Sequence, residues 1–283
     1  MTKNGRLLRA IVALLATLVI VWGVQSIYRI HAAKNYVDST TPTFFFHGWG
    51  SSYHAEQHMA NAARRAGATD TIIWANVAKS GKVTFHGNIP HGARNPIIEV
   101  NFADNKNGNY HRDSDYAYDV VNAATKKWHF KTMNLEGHSM GNLDLMFMLL
   151  DHGNSANLPQ LKKQVNIAGH FNGGIGFGYP KGGTTLAKDG RPNKEEKNFT
   201  ELKKLRATYP RGTKVLNLYG NLGDGTNSDS QVPVKSAQTL KYLVGPRAAS
   251  YQEHEFTGRR AQHSRLHSNP QVDRVLINFL WGK

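Results

Sequence analysis

Residues 137–141 read Gly-His-Ser-Met-Gly, and no other run in the chain restricts the fold so tightly. The pattern fits G-x-S-x-G, which needs a very sharp turn from a strand into a helix with small residues on both sides of the serine. The flanks meet that need. Residues 132–136 predict a strand, and residues 140–151 predict a strongly apolar helix carrying Leu143, Leu145, Met146, Phe147 and Met148. A strand passing through such a turn into a helix belongs to a fold of alternating strands and helices with a mostly parallel sheet. The turn would expose Ser139 at the top of that sheet. The positive end of the next helix would then point at any negative charge developing there.

The rest of the chain keeps the same rhythm. Residues 41–46 predict a strand that ends in His47-Gly48-Trp49-Gly50. Further strands are expected at residues 71–75, 96–102, 164–168, 214–219 and 251–256, with a small hairpin element at 82–85. Helices are expected at 53–67, at 114–128 with Asp113 or Ser114 as N-cap, at 236–244 and at 271–281. Residues 171–212 break the alternation. They are rich in Gly, Lys and Asn, hold Pro180 and Pro192, and predict one weak helix near 194–206. A long insertion of this kind reads as a lid or binding loop. The expected class is therefore α/β, with one domain over 41–283 and the lid-like insertion at 171–212.

The N-terminus is separate from this domain. Lys3, Arg6 and Arg9 precede an uncharged apolar run over residues 10–24. That is the layout of a signal peptide or an N-terminal membrane anchor spanning residues 1–30, followed by a polar linker at 31–40. An extracytoplasmic location follows as an expectation. The chain of 283 residues carries a formal charge of +15, which suits an anionic cell-wall or lipid surface. No nucleic-acid motif accompanies the charge, so nucleic acid is not an expected partner. The chain has no cysteine, which excludes a thiol nucleophile, disulfides and Cys–metal sites.

A serine nucleophile needs a base, an acid and an oxyanion site. In this class of fold the chain order is Ser, then Asp or Glu, then His. His152 and His170 come too early, and His254 lies within a predicted strand. His263 and His267 lie before the last helix, where the base belongs, and His263 is preferred. Asp224 and Asp229 both follow the strand ending near Tyr219, and Asp229 is preferred for its place ahead of the helix near Ser236. The oxyanion needs two backbone N–H donors. Met140, after the nucleophile, and Trp49, after the first strand, are the candidates. No His-Glu-x-x-His run occurs among the 14 histidines, and the Asp/Asn-rich residues 104–115 lack the spacing of an EF-hand calcium loop. No cofactor is expected.

Four segments together resemble a family of bacterial α/β-hydrolases labelled as cell-surface hydrolases. They are Phe-Phe-Phe-His-Gly-Trp-Gly (44–50), Asn-Pro-Ile-Ile-Glu-Val-Asn-Phe (95–102), Asn-Leu-Glu-Gly-His-Ser-Met-Gly-Asn (134–142) and His-Ser-Arg-Leu-His-Ser-Asn-Pro-Gln-Val (263–272). The last is also similar to the catalytic-histidine segment of small bacterial lipases. The resemblance covers residues 41–283. It implies the α/β-hydrolase fold, a Ser139–Asp229–His263 triad and oxyanion donors at Trp49 and Met140. Asn142 departs from the pattern, standing where relatives often have a second glycine. The expected activity is hydrolysis of a small-molecule or lipid-like carboxylic ester, with short acyl chains preferred. An amidase or peptidase using the same triad is the alternative, as is a non-catalytic wall-binding protein on the same scaffold.

Overall fold

The computed structural model describes residues 11–21, 23 and 33–283. Eight strands form one sheet. In chain order they are β1 (Thr43–Phe46), β2 (Ile72–Val77), β3 (Val83–His86), β4 (Ile97–Phe102), β5 (Thr132–His138), β6 (Gln160–Ile167), β7 (Lys214–Asn221) and β8 (Ser250–Thr257). Their spatial order is β3-β2-β4-β1-β5-β6-β7-β8. Every adjacent pair is parallel except β2 with β3, the hairpin at one edge.

Parallel strands are covered on both faces and so read as unbroken apolar runs. β1 shows this directly: Thr43, Phe44, Phe45 and Phe46 are all buried. Side chains alternate across a strand. Phe44 and Phe46 enter one core with α2 (Tyr110–Trp128) and α3 (Met140–His152), whereas Phe45 enters the other with α1 (Gln57–Ala66) and α9 (Pro270–Trp281). The intervening short helices are α4 (Lys197–Leu202), α5 (Leu205–Thr208), α6 (Val234–Gln238), α7 (Leu240–Val244) and α8 (His263–Leu266). From β1 the chain builds outward to one edge of the sheet, and from β5 it builds to the other. The order thus reverses at the β1/β5 pair, and the crevice beyond the carboxyl ends of these strands is where such sheets bind ligands.

Several boundaries differ from expectation. α2 begins at Tyr110, because Asn109 rather than Asp113 or Ser114 caps it. The Asn109 side chain accepts from the amides of His111 and Arg112. The helix expected at 236–244 is two short helices that divide at Thr239. The second half of the insertion is part of the body: Phe199, Leu202, Leu205 and Tyr209 are buried in the larger core. The polar segment expected as a linker is tied down at its far end, where Val37 N donates to Trp281 O at 2.8 Å and Asn95 N to Ser39 O at 2.6 Å. Residues 11–21 are helical with exposed apolar side chains. The remainder of the expected signal or anchor segment, residue 23 apart, lies outside the described residues. Among those described, no helix is long and apolar enough to cross a membrane.

Three carboxyl groups are buried on the face that Phe45 shares. Glu99 on β4 and Glu136 on β5 flank Phe45 in register, and Glu56 lies just before α1. No hydrogen-bond partner within the protein reaches either oxygen of Glu56 or Glu136. Burial disfavours the charged form and pushes all three upward. The charge of Glu99 adds to the rise at Glu56, and that of Glu56 adds to the rise at Glu136. Glu99 rises from 4.5 to about 7. A carboxyl with a raised folded-state pKa keeps a proton that the unfolded chain has already lost. Its contribution to stability is complete below about 4.5 and lost as pH rises through about 7. Urea unfolding of the wild type should therefore show stability declining across that window. Glu99→Gln should remove on the order of 3 kcal/mol of the decline. An equally steep decline in the variant would show that Glu99 is not responsible.

Candidate active site

Ser139 joins β5 to α3 with φ 53° and ψ −120°. A side chain rarely adopts that backbone conformation, so the turn is strained. The glycines on either side meet two different demands. A Cβ at position 137 would lie 2.9 Å from the Asn142 amide nitrogen, and one at 141 would lie 2.4 Å from the Phe46 carbonyl oxygen. The first lets α3 double back against β5. The second lets α3 start hard against the end of β1. Asn142 then locks the turn: its side-chain amide donates to Ser139 O at 3.0 Å and to Ile167 O at 2.8 Å, and Ser139 N donates to Ile167 O at 2.9 Å. Asn142 thus pins the elbow to the end of β6.

The structure brings Ser139, His263 and Asp229 into one hydrogen-bonded line. The Ser139 hydroxyl donates to His263 Nε2 at 2.9 Å, and His263 Nδ1 donates to Asp229 Oδ2 at 2.8 Å. The other carboxylate oxygen of Asp229 accepts from the amides of Gln231 at 2.9 Å and Val232 at 2.7 Å. A third tie runs along the backbone, from His263 N to Asp229 O at 2.8 Å. The loop after β7 and the short helix α8 are therefore held together at the two residues that form the line. Both are almost fully buried.

The rival residues lie elsewhere. Asp224 is exposed and binds the amide and hydroxyl of Thr226 in its own turn, which holds its carboxyl below the usual range. His267 meets the His138 ring edge-on at 4.9 Å. His152 pairs with Asp115, and His254 is exposed on β8. His138, His170 and His267 are all pushed down, chiefly by burial and also by the nearby His263, His170 to about 3. These rings stay neutral, so they add no positive charge beside His263.

The loop after β1 is set by His47. Its Nε2 accepts from Phe102 N at 3.1 Å, so Nδ1 carries the proton and donates to Gly48 O at 2.8 Å. Gly50 N donates to Asn105 O, and the Asn105 side chain donates to Ser51 O, both at 2.6 Å. Among the described residues, no protein acceptor takes up the amide N–H of Trp49 or of Met140. Both residues line the same cavity as Ser139. That cavity is about 470 Å³ and also receives Tyr110, His170, Phe177 and Gln231. The Tyr110 hydroxyl and His170 Nε2 are 3.1 Å apart. Sequence reasoning missed Tyr110 and His170 as site residues, because no local pattern marks the end of a helix or a mid-chain loop as facing Ser139. Among the described residues, no group of three His, Asp or Glu is arranged to hold a metal.

A family model described as "Alpha/beta hydrolase of unknown function (DUF915)" matches residues 31–283. No curated protein matches the chain. Among solved structures, a gene product of Listeria innocua superposes with a TM-score of 0.77 at 22% identity, over 86% of this chain and 94% of its own. A candidate cell-surface hydrolase from Lactobacillus plantarum gives 0.64 at 19% identity, over 85% and 89%. A bromoperoxidase from Bacillus anthracis gives 0.51 at 12% identity, over 87% and 94%. At these identities the likeness is one of fold, and a single scaffold of this kind hosts different chemistries.

The strain at Ser139 has a measurable consequence. Ser139→Ala keeps a Cβ in the strained conformation, whereas Ser139→Gly releases it. Release should outweigh the extra freedom that glycine brings to the unfolded chain. Ser139→Gly is expected to be the more stable of the two by about 1 kcal/mol in urea melts. Equal midpoints, or the reverse order, would mean that the turn is not strained.

Proposed function

The chain belongs to the α/β-hydrolase family of unknown function DUF915, and within it we propose that this protein is a serine hydrolase of carboxylic esters. The observation that carries the reading is the continuous line from Ser139 through His263 to Asp229, opening into a cavity between two uncommitted backbone amides. Ser139 Oγ attacks the acyl carbon while His263 Nε2 takes its proton. The oxyanion of the tetrahedral intermediate is received by the N–H groups of Trp49 and Met140. Collapse expels the alcohol, which takes the proton back from His263. A water molecule, deprotonated by His263, then attacks the acyl-enzyme, and His263 returns that proton to Ser139 Oγ as the acid leaves.

Asp229 holds His263 in the tautomer that leaves Nε2 free to accept, and it stabilises the imidazolium that forms. The neutral state of His138, His170 and His267 suits this, because a second cation beside His263 would oppose the first. None of these steps calls for a cofactor. Amides would pass through the same intermediates. Esters are the easier acyl substrates, however, so a working triad implies esterase activity first. The basic N-terminus, the apolar run behind it and the charge of +15 support an extracytoplasmic location at the cell surface, with residues 1–30 as anchor or signal. The candidate cell-surface hydrolase from Lactobacillus plantarum is consistent with that location.

A fluorophosphonate probe should label the wild type at Ser139 and leave Ser139→Ala unlabelled. Folded wild-type protein that does not label would favour a binding protein on this scaffold instead. Asp229→Asn should fold and reduce turnover of a p-nitrophenyl ester on the order of 10⁴-fold, through the wrong His263 tautomer. Deleting residues 1–30 should release the protein from membranes washed at high salt, where charge-dependent docking is screened, and retention there after deletion would count against an anchor.

A further inference from the structure

Within the described residues from 33 onward, three large apolar side chains are exposed, and all three lie together at the mouth of the Ser139 cavity. They are Trp49, Ile175 and Phe177, with 59%, 49% and 46% of their surface open. Trp49 and Phe177 line the cavity itself. Ile175 stands beside them, because its amide donates to the carbonyl of Gln231, another lining residue, at 2.8 Å. Clustered apolar side chains around an opening mark a contact surface, whereas scattered ones do not.

The backbone displays these side chains on purpose-built geometry. Residues 174–177 close a tight turn, with Gly174 N donating to Phe177 O at 2.8 Å and Phe177 N to Gly174 O at 3.0 Å. Gly174, Gly176 and Gly178 alternate with Ile175 and Phe177 and offer no side chain to cover them. The Phe177 ring is steadied by edge-on contact with His170 at 5.2 Å. The turn is braced at its base; Ile175 is exposed, and the Phe177 ring lies over Gly174 and against His170 with about half of its surface open.

The exposed lysines and arginines around this opening outnumber its acids, of which Glu196 packs against Gly178 at the foot of the turn. Lys106 sits 5.9 Å from the centre of the Trp49 ring. Lys194 donates to Lys181 O behind the 174–177 turn, and Arg259, Arg260 and Arg265 are exposed beside the helix that carries His263. The lysine and arginine ion pairs among the described residues are those of Lys79, Lys203 and Lys204, so none of these five side chains is in an ion pair with a carboxylate. Asp224 is the exposed acid in the loop after β7.

We propose that the mouth of the cavity docks on an anionic lipid surface, with Trp49, Ile175 and Phe177 inserted at the boundary and the surrounding cations held against the headgroups. A wall polyanion would satisfy the cations yet leave the three apolar side chains facing water. A bilayer satisfies both. Ester-bearing lipid would then reach Ser139 without crossing water, a consequence that rests on the reading of Ser139 as nucleophile. The docking itself does not depend on that reading. It also departs from the expectation of short acyl chains, which rested on a polar insertion.

The absence of cysteine permits a test that separates this surface from the N-terminal segment. In the full chain, Ile175→Cys and, at the opposite end of the sheet, Lys162→Cys are each labelled with an environment-sensitive nitrobenzoxadiazole fluorophore. Circular dichroism checks folding, and fluorophosphonate labelling of Ser139 reports separately on the catalytic reading. With phosphatidylglycerol vesicles, the label at 175 should shift to the blue and be quenched by a lipid-borne quencher, and the label at 162 should not change. Both effects at 175 should diminish in high salt, where surface charges are screened. Vesicle-bound protein with an unshifted label at 175 would overturn the proposal, as would an equal shift at 162. An equal shift on phosphatidylcholine vesicles would overturn the anionic assignment.

Discussion

The backbone of Gly141 passes so close to the Phe46 carbonyl that a Cβ there would stand 2.4 Å from the oxygen. Much of the site depends on this contact. It brings the start of α3 against the end of β1, so that the turn bearing Ser139 and the loop bearing Trp49 meet over the same crevice. With any larger residue at 141 the two would be pushed apart. Asn142 and the Ser139–Ile167 hydrogen bond hold the third side, against β6. The strain at Ser139 persists because three strands and a helix together determine the turn.

Around that turn the protein buries polar groups in two distinct ways. Those that form the site are satisfied. Asp229 accepts from two amides and an imidazole, and His47 uses both ring nitrogens to set the loop after β1. A group satisfied in this way is rigid, because moving it would strand a buried donor or acceptor. The carboxyls of Glu56, Glu99 and Glu136 are treated differently. Burial raises all three, opposed at Glu99 by the charge of Arg64, so they tie stability to pH rather than fix geometry.

Local sequence was a good guide where one element dictates its own shape. The strand-turn-helix at Ser139, the run of phenylalanines in β1 and the order of the strands could all be read along the chain. It failed where two signals competed. Asp113 and Ser114 are good capping residues, but Asn109 stands earlier and its side chain reaches two amides, so α2 starts there. In the insertion, composition suggested a lid or binding loop, yet Phe199, Leu202, Leu205 and Tyr209 were enough to draw its second half into the core. Its first part is the exception, since glycines at 174, 176 and 178 leave Ile175 and Phe177 uncovered.

By itself the sequence determined the fold class, the position of Ser139 and the short lists from which its partners had to come. These follow from local sterics and from periodicity, which act over a few residues. Tertiary structure decided among the alternatives. His263 rather than His267, and Asp229 rather than Asp224, lie in line with Ser139. The reason is that hydrogen bonds across 124 and 34 residues of chain depend on how β5, β7 and α8 pack, and no local pattern carries that distance. The same packing placed Trp49 and Phe177 at one opening, and Tyr110 against His170 inside it.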